Sequence, residues 1–196
     1  FHLLADRLTG FNGCFSVAST AALLRKLDKL QPDVLHLHNL HNCYINLPIL
    51  FRYIKKRRLP LRWPLHACAA FTAHCPPFHR IACNTCPTGC ESCPQYRCYP
   101  KSLVDRSGFM YRRKKNWFTG VEDLTVVTPS AWLAELAGRS FLGDYPIRVI
   151  PNGIDLSVFH PAGNKKEQWK DKFVILGVAA VWAEAKGLDV FAELAK

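Results

Sequence analysis

The sequence contains no apolar run long enough to cross a membrane. Its longest uncharged apolar stretches, near residues 43–51 and 173–183, are well short of the ~20 residues that a membrane-spanning helix requires. No basic start leads into an apolar segment, which argues against a signal peptide, and the first residue is Phe1 rather than Met. We therefore expect a soluble, cytoplasmic protein and a chain that is a fragment or a processed form.

Acidic residues are scarce relative to basic ones. The 196 residues include 26 Lys and Arg but 15 Asp and Glu, which gives a formal net charge of +11. Such an excess favours nucleic acid, anionic lipid headgroups or phosphorylated substrates as partners, without selecting among them. The 49% hydrophobic content is ample for a buried core, so disorder is not expected.

A dinucleotide-binding glycine motif is also absent. No G-x-G-x-x-G sequence follows any predicted strand. Because the glycines of that motif let a pyrophosphate approach the backbone, its absence disfavours an NAD-type oxidoreductase.

Helical and strand-like segments alternate along the chain. Helices are predicted over residues 16–30, 44–58 and 102–118 and after Pro129, and strands over residues 33–39, 61–66, 124–128 and 148–150. This alternation is typical of a doubly wound α/β protein with a parallel sheet. Both faces of the 33–39 strand carry apolar residues, so we expect helices on both sides of the sheet. The helix after Pro129 is predicted to bury Trp132, Leu133 and Leu136.

The stretch RVIPNGIDLSVFHP, residues 148–161, predicts a joint between two domains. Pro151 stops an apolar run, and Asn152-Gly153 forces a tight turn, although alone this is equally typical of a surface loop. Residues 173–178 then predict a strand and 187–196 a helix, which cannot bury a core alone. We expect an N-terminal domain at 1–150 with a Cys-rich insertion at 67–100, a hinge at 151–171 and a truncated second domain at 172–196.

Histidines lie at the carboxyl ends of two predicted strands. His36 and His38, followed by Asn39, end the first strand, and His66 ends the next. Ligands of open α/β sheets bind outside these strand ends. His38 and His66 are therefore predicted to meet in one crevice as hydrogen-bond donors or proton carriers. The alternative is that each is a packed core or loop residue.

Seven of the nine cysteines lie between Cys68 and Cys98. Such crowding without a secretion signal favours a metal site over disulfides. Two C-x2-C pairs, Cys83 with Cys86 and Cys90 with Cys93, offer thiolates for tetrahedral zinc. Their separation is too short for an ordinary zinc ribbon, so Cys75 is a further candidate ligand. Thiols without metal, disulfides and redox catalysis are the alternatives.

Two basic features carry weaker signals. The run Arg112-Arg-Lys-Lys115 is typical of a solvated helix face, because nucleic-acid binding calls for interleaved aromatics or a known module. Lys186-Gly187 opens a predicted helix, where the lysine and the helix-start amides can face a diphosphate.

Together the segments resemble glycosyltransferase family 4, in the bacterial branch that builds capsule, colanic-acid and lipopolysaccharide sugars. The resemblance runs nearly end to end and rests on PDVLHLHNLH, INLPILFRYIKKR, LHACAAFTAHC, YPKSLVDRS, LTVVTPSAWLAEL, IRVIPNGIDLSVFHP, FVILGVAAVW and KGLDVFAELAK. It implies the GT-B fold of two Rossmann-like domains. Here that means an N-terminal parallel-sheet domain plus the first strand and helix of a second.

The resemblance also implies an activity. It is the retaining transfer of a hexosyl-type sugar from a nucleotide-diphosphate donor to a lipid-linked or saccharide acceptor, with no catalytic metal, in cell-surface polysaccharide biosynthesis. The acceptor would lie near His36, His38 and Asn39 in the N-terminal domain. His66 matches the histidine near the reacting sugar, and Lys186 with Gly187 matches the site that neutralises the donor diphosphate.

The branch's cysteine spacing falls on Cys75, Cys83, Cys90 and Cys93, which makes these four the expected structural zinc ligands. In other respects the sequence departs from the branch. After the histidine, this sequence has alanine at positions 67, 69 and 73, where the branch has Asp, Trp and Gly. Alanines also occupy positions 183 and 185 near the donor loop. The family's early glycine-rich loop and its later Glu-x7-Glu element are also missing, so we expect these 196 residues alone to be inactive.

The positive charge further predicts peripheral contact with anionic lipid on the inner face of the plasma membrane, where lipid-linked acceptors lie. The competing hypothesis is a non-enzymatic zinc module that binds nucleic acid through its basic helix. Salt-sensitive binding of DNA or RNA, without affinity for nucleotide sugars, would favour it.

Overall fold

The chain divides into two compact units, Phe1–Gly153 and Ile154–Lys196, each considered by itself. In this computed structural model, the structure describes residues 2–41, 43–73, 83, 89–98, 100–160, 167–182 and 186–195. None of the helices in these ranges is long and apolar enough to span a membrane.

A parallel four-stranded sheet organises the first unit. Its strands are β1 (Leu35–His36), β2 (Leu61–Pro64), β3 (Leu124–Thr128) and β4 (Ile147–Val149). They lie in the order β1-β2-β3-β4, and each pairs in parallel with the next. The helices of this unit are α1 (His2–Thr9), α2 (Val17–Leu30), α3 (Leu47–Arg57), α4 (Ser107–Phe118) and α5 (Ala131–Gly138), with a 3-10 turn at Cys68–Ala70. The predicted α/β class with a Rossmann-like parallel sheet is confirmed.

Helices α3 and α5 each begin with a side-chain N-cap. The Asn46 side chain accepts a hydrogen bond from Ile49 N at 3.0 Å, and Pro48 occupies the first turn of α3. The Ser130 hydroxyl likewise accepts from Leu133 N at 3.3 Å at the start of α5. Each cap satisfies an amide that has no partner inside its helix, which fixes where the chain turns from strand to helix.

The core lies on one face of the sheet. Leu61, Trp63 and Val126 alternate along β2 and β3 and are at most 2% exposed. They meet Phe51 of α3 and Phe118 of α4, whose rings lie 4.5 Å apart. The alternate residues of β2 and β3 are half-buried in the described structure. No contact among the described residues shows what covers this second face, so helices on both faces of the sheet stay a prediction.

Some element predictions need correction. β1 is two residues long rather than spanning 33–39, because only Leu35 and His36 have pairing partners on β2. Trp132 is 51% exposed rather than buried, since Leu133 and Ala137 form the inward face of α5. Helix α1 was not predicted.

The second unit contains a 3-10 turn at Glu167–Trp169 and helix α6 (Leu188–Leu194). Residues 173–178 form no strand, and Phe173 is 92% exposed. A strand requires a hydrogen-bonded neighbour, and the described residues of this unit supply none. The rings of Trp182 and Phe191 contact at 5.0 Å. The predicted strand at 173–178 is thus wrong in this structure, whereas the helix after it forms.

Candidate functional site

Three histidines converge at the carboxyl ends of β1 and β2. His38 Nδ1 lies 3.0 Å from His66 Nε2, within hydrogen-bond distance. These two rings stack with centroids 5.3 Å apart, and the ring of His36 meets that of His38 edge-on at 4.5 Å. All three side chains are exposed. The predicted meeting of His38 and His66 is therefore present, because parallel pairing places these strand ends side by side.

The His38–His66 bond constrains the protons of both rings. One nitrogen must donate and the other accept, so the pair cannot keep this bond with both rings protonated. Loss of part of the ring's hydration, followed by the neighbouring charges of His36 and His66, lowers the pKa of the exposed His38 below the usual histidine value. The pair therefore favours a neutral His38 near pH 7, and the bond couples the tautomers of the two rings, since one ring must donate to the other.

A pocket opens beside His66 and encloses about 750 Å³ of empty space, part of it open to solvent. Its polar lining consists of Asn12, Asn39, His41, His66 and Lys114. The rest of the described lining is apolar or glycine apart from Cys43, and no carboxylate lines it. The pocket is therefore electropositive and largely apolar, properties that suit a neutral or anionic ligand with an apolar part.

Lys114 of α4 is the buried cation of this pocket. Lys114 is only 7% exposed. Its Nζ donates hydrogen bonds to the carbonyl oxygens of Ala69 at 2.8 Å and Thr72 at 3.0 Å. These carbonyls belong to the turn that directly follows His66. The interior location of the ammonium is compensated by these charge-assisted bonds, which tie the His66 turn to α4.

The burial of Lys114 corrects the prediction that residues 112–115 are a solvated helix face. Met110 and Phe118, four residues to either side of Lys114, are 2% and 1% exposed. Residues four apart share one face of a helix. The helical period of α4 therefore places Lys114 on the buried face with Met110 and Phe118. The run of four cations at 112–115 obscured this in the sequence.

The loop between α1 and α2 also contributes to the pocket and was missed by sequence reasoning. Asn12 and Gly13 line the pocket wall. Gly13 has φ +73°, and a Cβ there would lie 2.7 Å from Leu47 Cδ1. The positive φ favours glycine at this position, and a larger residue would also require Leu47 to move. Asn39, in the loop after β1, adopts a left-handed conformation with φ 49° and lines the same pocket.

The described cysteines do not assemble a metal site. Cys90 and Cys93 are each 4% exposed and belong to the hydrophobic core, and Cys83 packs against it. No three His, Cys, Asp or Glu side chains converge to hold a metal among the residues that the structure describes. Cys75 lies outside those residues. The zinc set of Cys75, Cys83, Cys90 and Cys93 thus has no support from the described structure and stays a prediction.

The remaining predicted site residues lie around the boundary of the units and in the second unit. Asn152 and Gly153 are exposed at the end of the first unit. Lys186 precedes α6, and Gly187 caps this helix with φ 74°, a conformation that favours glycine. Their predicted roles as hinge and as diphosphate site stay predictions.

Comparison with known proteins decides the family. A family model described as Glycosyltransferase Family 4 matches residues 7–158, which include both histidine strand ends and the pocket. The chain belongs to glycosyltransferase family 4. The resemblance predicted from the sequence is confirmed. The match ends before Lys186, so it carries no information on the diphosphate site predicted at Lys186 and Gly187 of this family 4 glycosyltransferase.

One relative is similar to part of this chain. The Escherichia coli (strain K12) protein named "Putative colanic acid biosynthesis glycosyl transferase WcaC" is 32% identical over 133 residues. The aligned part is 64% of this chain and 32% of the relative, so the chain spans about a third of that relative's length. No solved structure matches the chain.

Proposed function

We propose that the full-length protein transfers a hexosyl-type sugar, with retention, from a nucleotide-diphosphate sugar to a lipid-linked or saccharide acceptor in cell-surface polysaccharide biosynthesis. The His38–His66 pair beside an electropositive pocket carries this proposal, since it lies at the strand ends where α/β sheets bind ligands. Family membership and the name of the Escherichia coli relative support the same reaction class.

In the proposed reaction the bond from the anomeric carbon to the diphosphate breaks, and a bond to the acceptor hydroxyl oxygen forms. The hydroxyl proton goes to the departing phosphate or to solvent. His66 hydrogen-bonds the reacting sugar through Nδ1, because its Nε2 is engaged by His38 at 3.0 Å. The acceptor occupies the pocket near His36, His38 and Asn39. Lys186 and the backbone at Gly187 neutralise the donor diphosphate electrostatically, so no catalytic metal is required.

The test is sugar transfer by the full-length protein with a panel of nucleotide-diphosphate sugars and a lipid extract as acceptor. Release of the nucleoside diphosphate and labelling of the acceptor are measured together. We expect His66→Ala to reduce turnover by about a hundredfold or more, the usual effect of losing a positioned acid–base or hydrogen-bonding group. Lys115→Ala, an exposed change on α4, is the matched control. Equal turnover in both variants would remove His66 from the mechanism.

The 196-residue chain alone is proposed to be inactive. Its second unit shows no buried side chain among the described residues, so it offers no rigid wall to bind a nucleotide. Robust transfer by this chain in the same assay would refute the proposal.

The nucleic-acid hypothesis is weakened by one observation. Lys114, one of the four cations of its basic helix, is buried and bonded to carbonyl oxygens. Titration of the full-length protein with oligonucleotides and with nucleotide sugars separates the hypotheses. Salt-sensitive oligonucleotide binding, without any nucleotide-sugar binding, would refute the transferase proposal and support the nucleic-acid hypothesis.

Structural zinc in the Cys-rich segment is a separate proposal. It rests on the cysteine spacing and is tested by elemental analysis of purified, folded protein. About one zinc per chain, lost together with folding when Cys90 is changed to Ser, is expected. Folded protein without metal would end this proposal.

A further inference from the structure

His38 does not line the pocket beside His66, although the two rings are in contact. Asn39, His41 and His66 line that pocket, whereas neither His36 nor His38 is among its described lining residues. His38 reaches the site only through its Nδ1, which lies 3.0 Å from His66 Nε2. His66 is therefore the member of the pair that a ligand in this pocket would meet.

The backbone around the two histidines is held by its neighbours. The strand bonds directly ahead of each histidine join Leu37 N to Arg62 O at 3.0 Å and Leu65 N to Val127 O at 2.8 Å. The turn that follows the second histidine is tied to α4 by the Lys114 ammonium. These bonds fix where the two side chains begin. They do not fix the exposed imidazole rings, which rotate about χ1 and χ2 unless a further contact selects one rotamer.

Contacts between the rings supply that restraint. The rings of His38 and His66 stack with an interplanar angle of 19° and centroids 5.3 Å apart. His38 is itself restrained, because the ring of His36 meets it edge-on at 4.5 Å and Tyr44 Oη donates to its carbonyl oxygen at 3.2 Å. Stacking alone is compatible with a flip of the His66 ring about χ2. The bond between the two nitrogens is not, since it is directional and engages Nε2.

We propose that His38 is a positioning residue, which acts on the reaction through His66 rather than by contact with the acceptor. By engaging Nε2, it leaves Nδ1 as the nitrogen of His66 that serves the reacting sugar. A group already held in one orientation loses less freedom when the transition state forms, which lowers the barrier. The inference rests on the proposed function for the reaction in which His66 takes part.

The first test compares sugar transfer by His38→Phe and His38→Asn in the full-length protein. Phe keeps a ring of similar size without a nitrogen, whereas the Asn amide places a hydrogen-bonding group near the position of Nδ1. We expect kcat to fall about tenfold in His38→Phe, the equivalent of one lost hydrogen bond. The acceptor KM should stay within about twofold of the wild type. His38→Asn should recover most of kcat.

Two results of this comparison would overturn the inference. A raised acceptor KM with unchanged kcat in His38→Phe would show a direct contact between His38 and the acceptor. Equal loss of kcat in His38→Phe and His38→Asn would show that the bond to His66 is not what matters. Lys115→Ala, an exposed change on α4, is the matched control, and thermal unfolding of each variant confirms that the fold is kept.

The second test repeats the change in a protein that lacks His66. In the His66→Ala background, His38→Phe should lower the residual kcat by less than about twofold, because a residue that acts only through His66 then has nothing to position. A further loss of about tenfold in that background would show an independent role and overturn the inference.

The third test needs no substrate. Relaxation of the ring carbons in NMR spectra of full-length protein labelled at histidine measures how rigidly the His66 ring is held, and the His66→Ala variant identifies its signals. We expect the order parameter of this ring to fall in His38→Phe and to recover in His38→Asn. Equal order parameters in the wild type and His38→Phe would overturn the inference. A ring held by His38 in a protein that transfers no sugar would retain the positioning contact and reject the transferase proposal.

Discussion

At the scale of single residues, the candidate site depends on side chains whose surroundings fix their protonation and position. His38 and His66 bond each other at 3.0 Å, and Lys114 holds the following turn through two carbonyls. Burial raises the pKa of the Cys14 thiol to about 11 and that of Cys43 to about 12. These two thiols are therefore protonated at neutral pH and poor nucleophiles, which argues against redox catalysis at either.

Stability should depend on pH through His38 and His41. Loss of hydration lowers the pKa of the exposed His38 and of the half-buried His41, aided by His36 and His66 at His38 and by Lys114 at His41. Their folded-state pKa lies below the unfolded value, so the unfolded chain takes up protons more readily. Their contribution is then fully present above about pH 6.5 and is lost as pH falls through the folded pKa.

The measurement is urea unfolding of the wild type and of His38→Gln/His41→Gln at about pH 7.5 and about pH 5.5. The wild type should lose more stability on acidification than the double variant. Burial raises the pKa of Asp6, which acts in the opposite direction, but this effect is common to both proteins and cancels in the comparison. Identical losses would show that neither imidazole is coupled to folding.

Removing the Lys114 ammonium should destabilise the protein. Lys114→Met keeps an unbranched side chain, one atom shorter, but leaves the carbonyls of Ala69 and Thr72 without the hydrogen bonds from Nζ. We expect the free energy of unfolding to fall by roughly 2–4 kcal/mol, from about 1–3 kcal/mol for each unsatisfied buried group less the desolvation relief. Lys115→Met, on the exposed neighbour, should change it by less than about 0.5 kcal/mol. Equal denaturant midpoints in the two variants would contradict the structural role of Lys114.

At the scale of elements, the turns between strands and helices position the site. α3 begins at the Asn46 cap, and the preceding loop carries Asn39 and His41 to the pocket. The helix spans and the β3 strand follow from their sequence periods and boundary residues. By contrast, the length of β1 and the outward face of Trp132 depend on which neighbours pair or pack, which no local period encodes.

The Asn46 cap should contribute measurably to stability. Its Oδ1 accepts from Ile49 N at 3.0 Å, and its Nδ2 donates to the Cys14 carbonyl, so it joins α3 to the α1–α2 loop. Asn46→Ala should lower the free energy of unfolding by about 2 kcal/mol, about one for the cap and about one for the second bond. Ser130→Ala loses a cap alone and should cost about 1 kcal/mol. Chemical denaturation measures both, and an equal cost would mean that the second bond contributes nothing.

At the scale of the whole molecule, the two units differ in how well they exclude water. The first unit buries a continuous core that includes Phe51 and Phe118, whereas Phe159 and Phe173 in the second are 64% and 92% exposed. An element with few buried apolar contacts has little stability of its own.

Limited chymotrypsin digestion of the 196-residue chain should reflect this difference. Cleavage is expected after Phe159 or Phe173 before any cleavage after Phe51 or Phe118, because a protease needs locally accessible backbone. Mass spectrometry of early fragments identifies the order. Early cuts at Phe51 or Phe118 would show that the core of the first unit opens as readily as the second unit.

The sequence by itself determined the α/β class, the parallel sheet, the family and the two histidine strand ends, because these depend on local periods and short motifs. Only the tertiary structure decided that His38 and His66 bond each other, that Lys114 is buried, and that Asn12 and Gly13 reach the same pocket. Those contacts join segments far apart in the chain. Their existence depends on strand order and helix packing, which residue patterns constrain but do not specify.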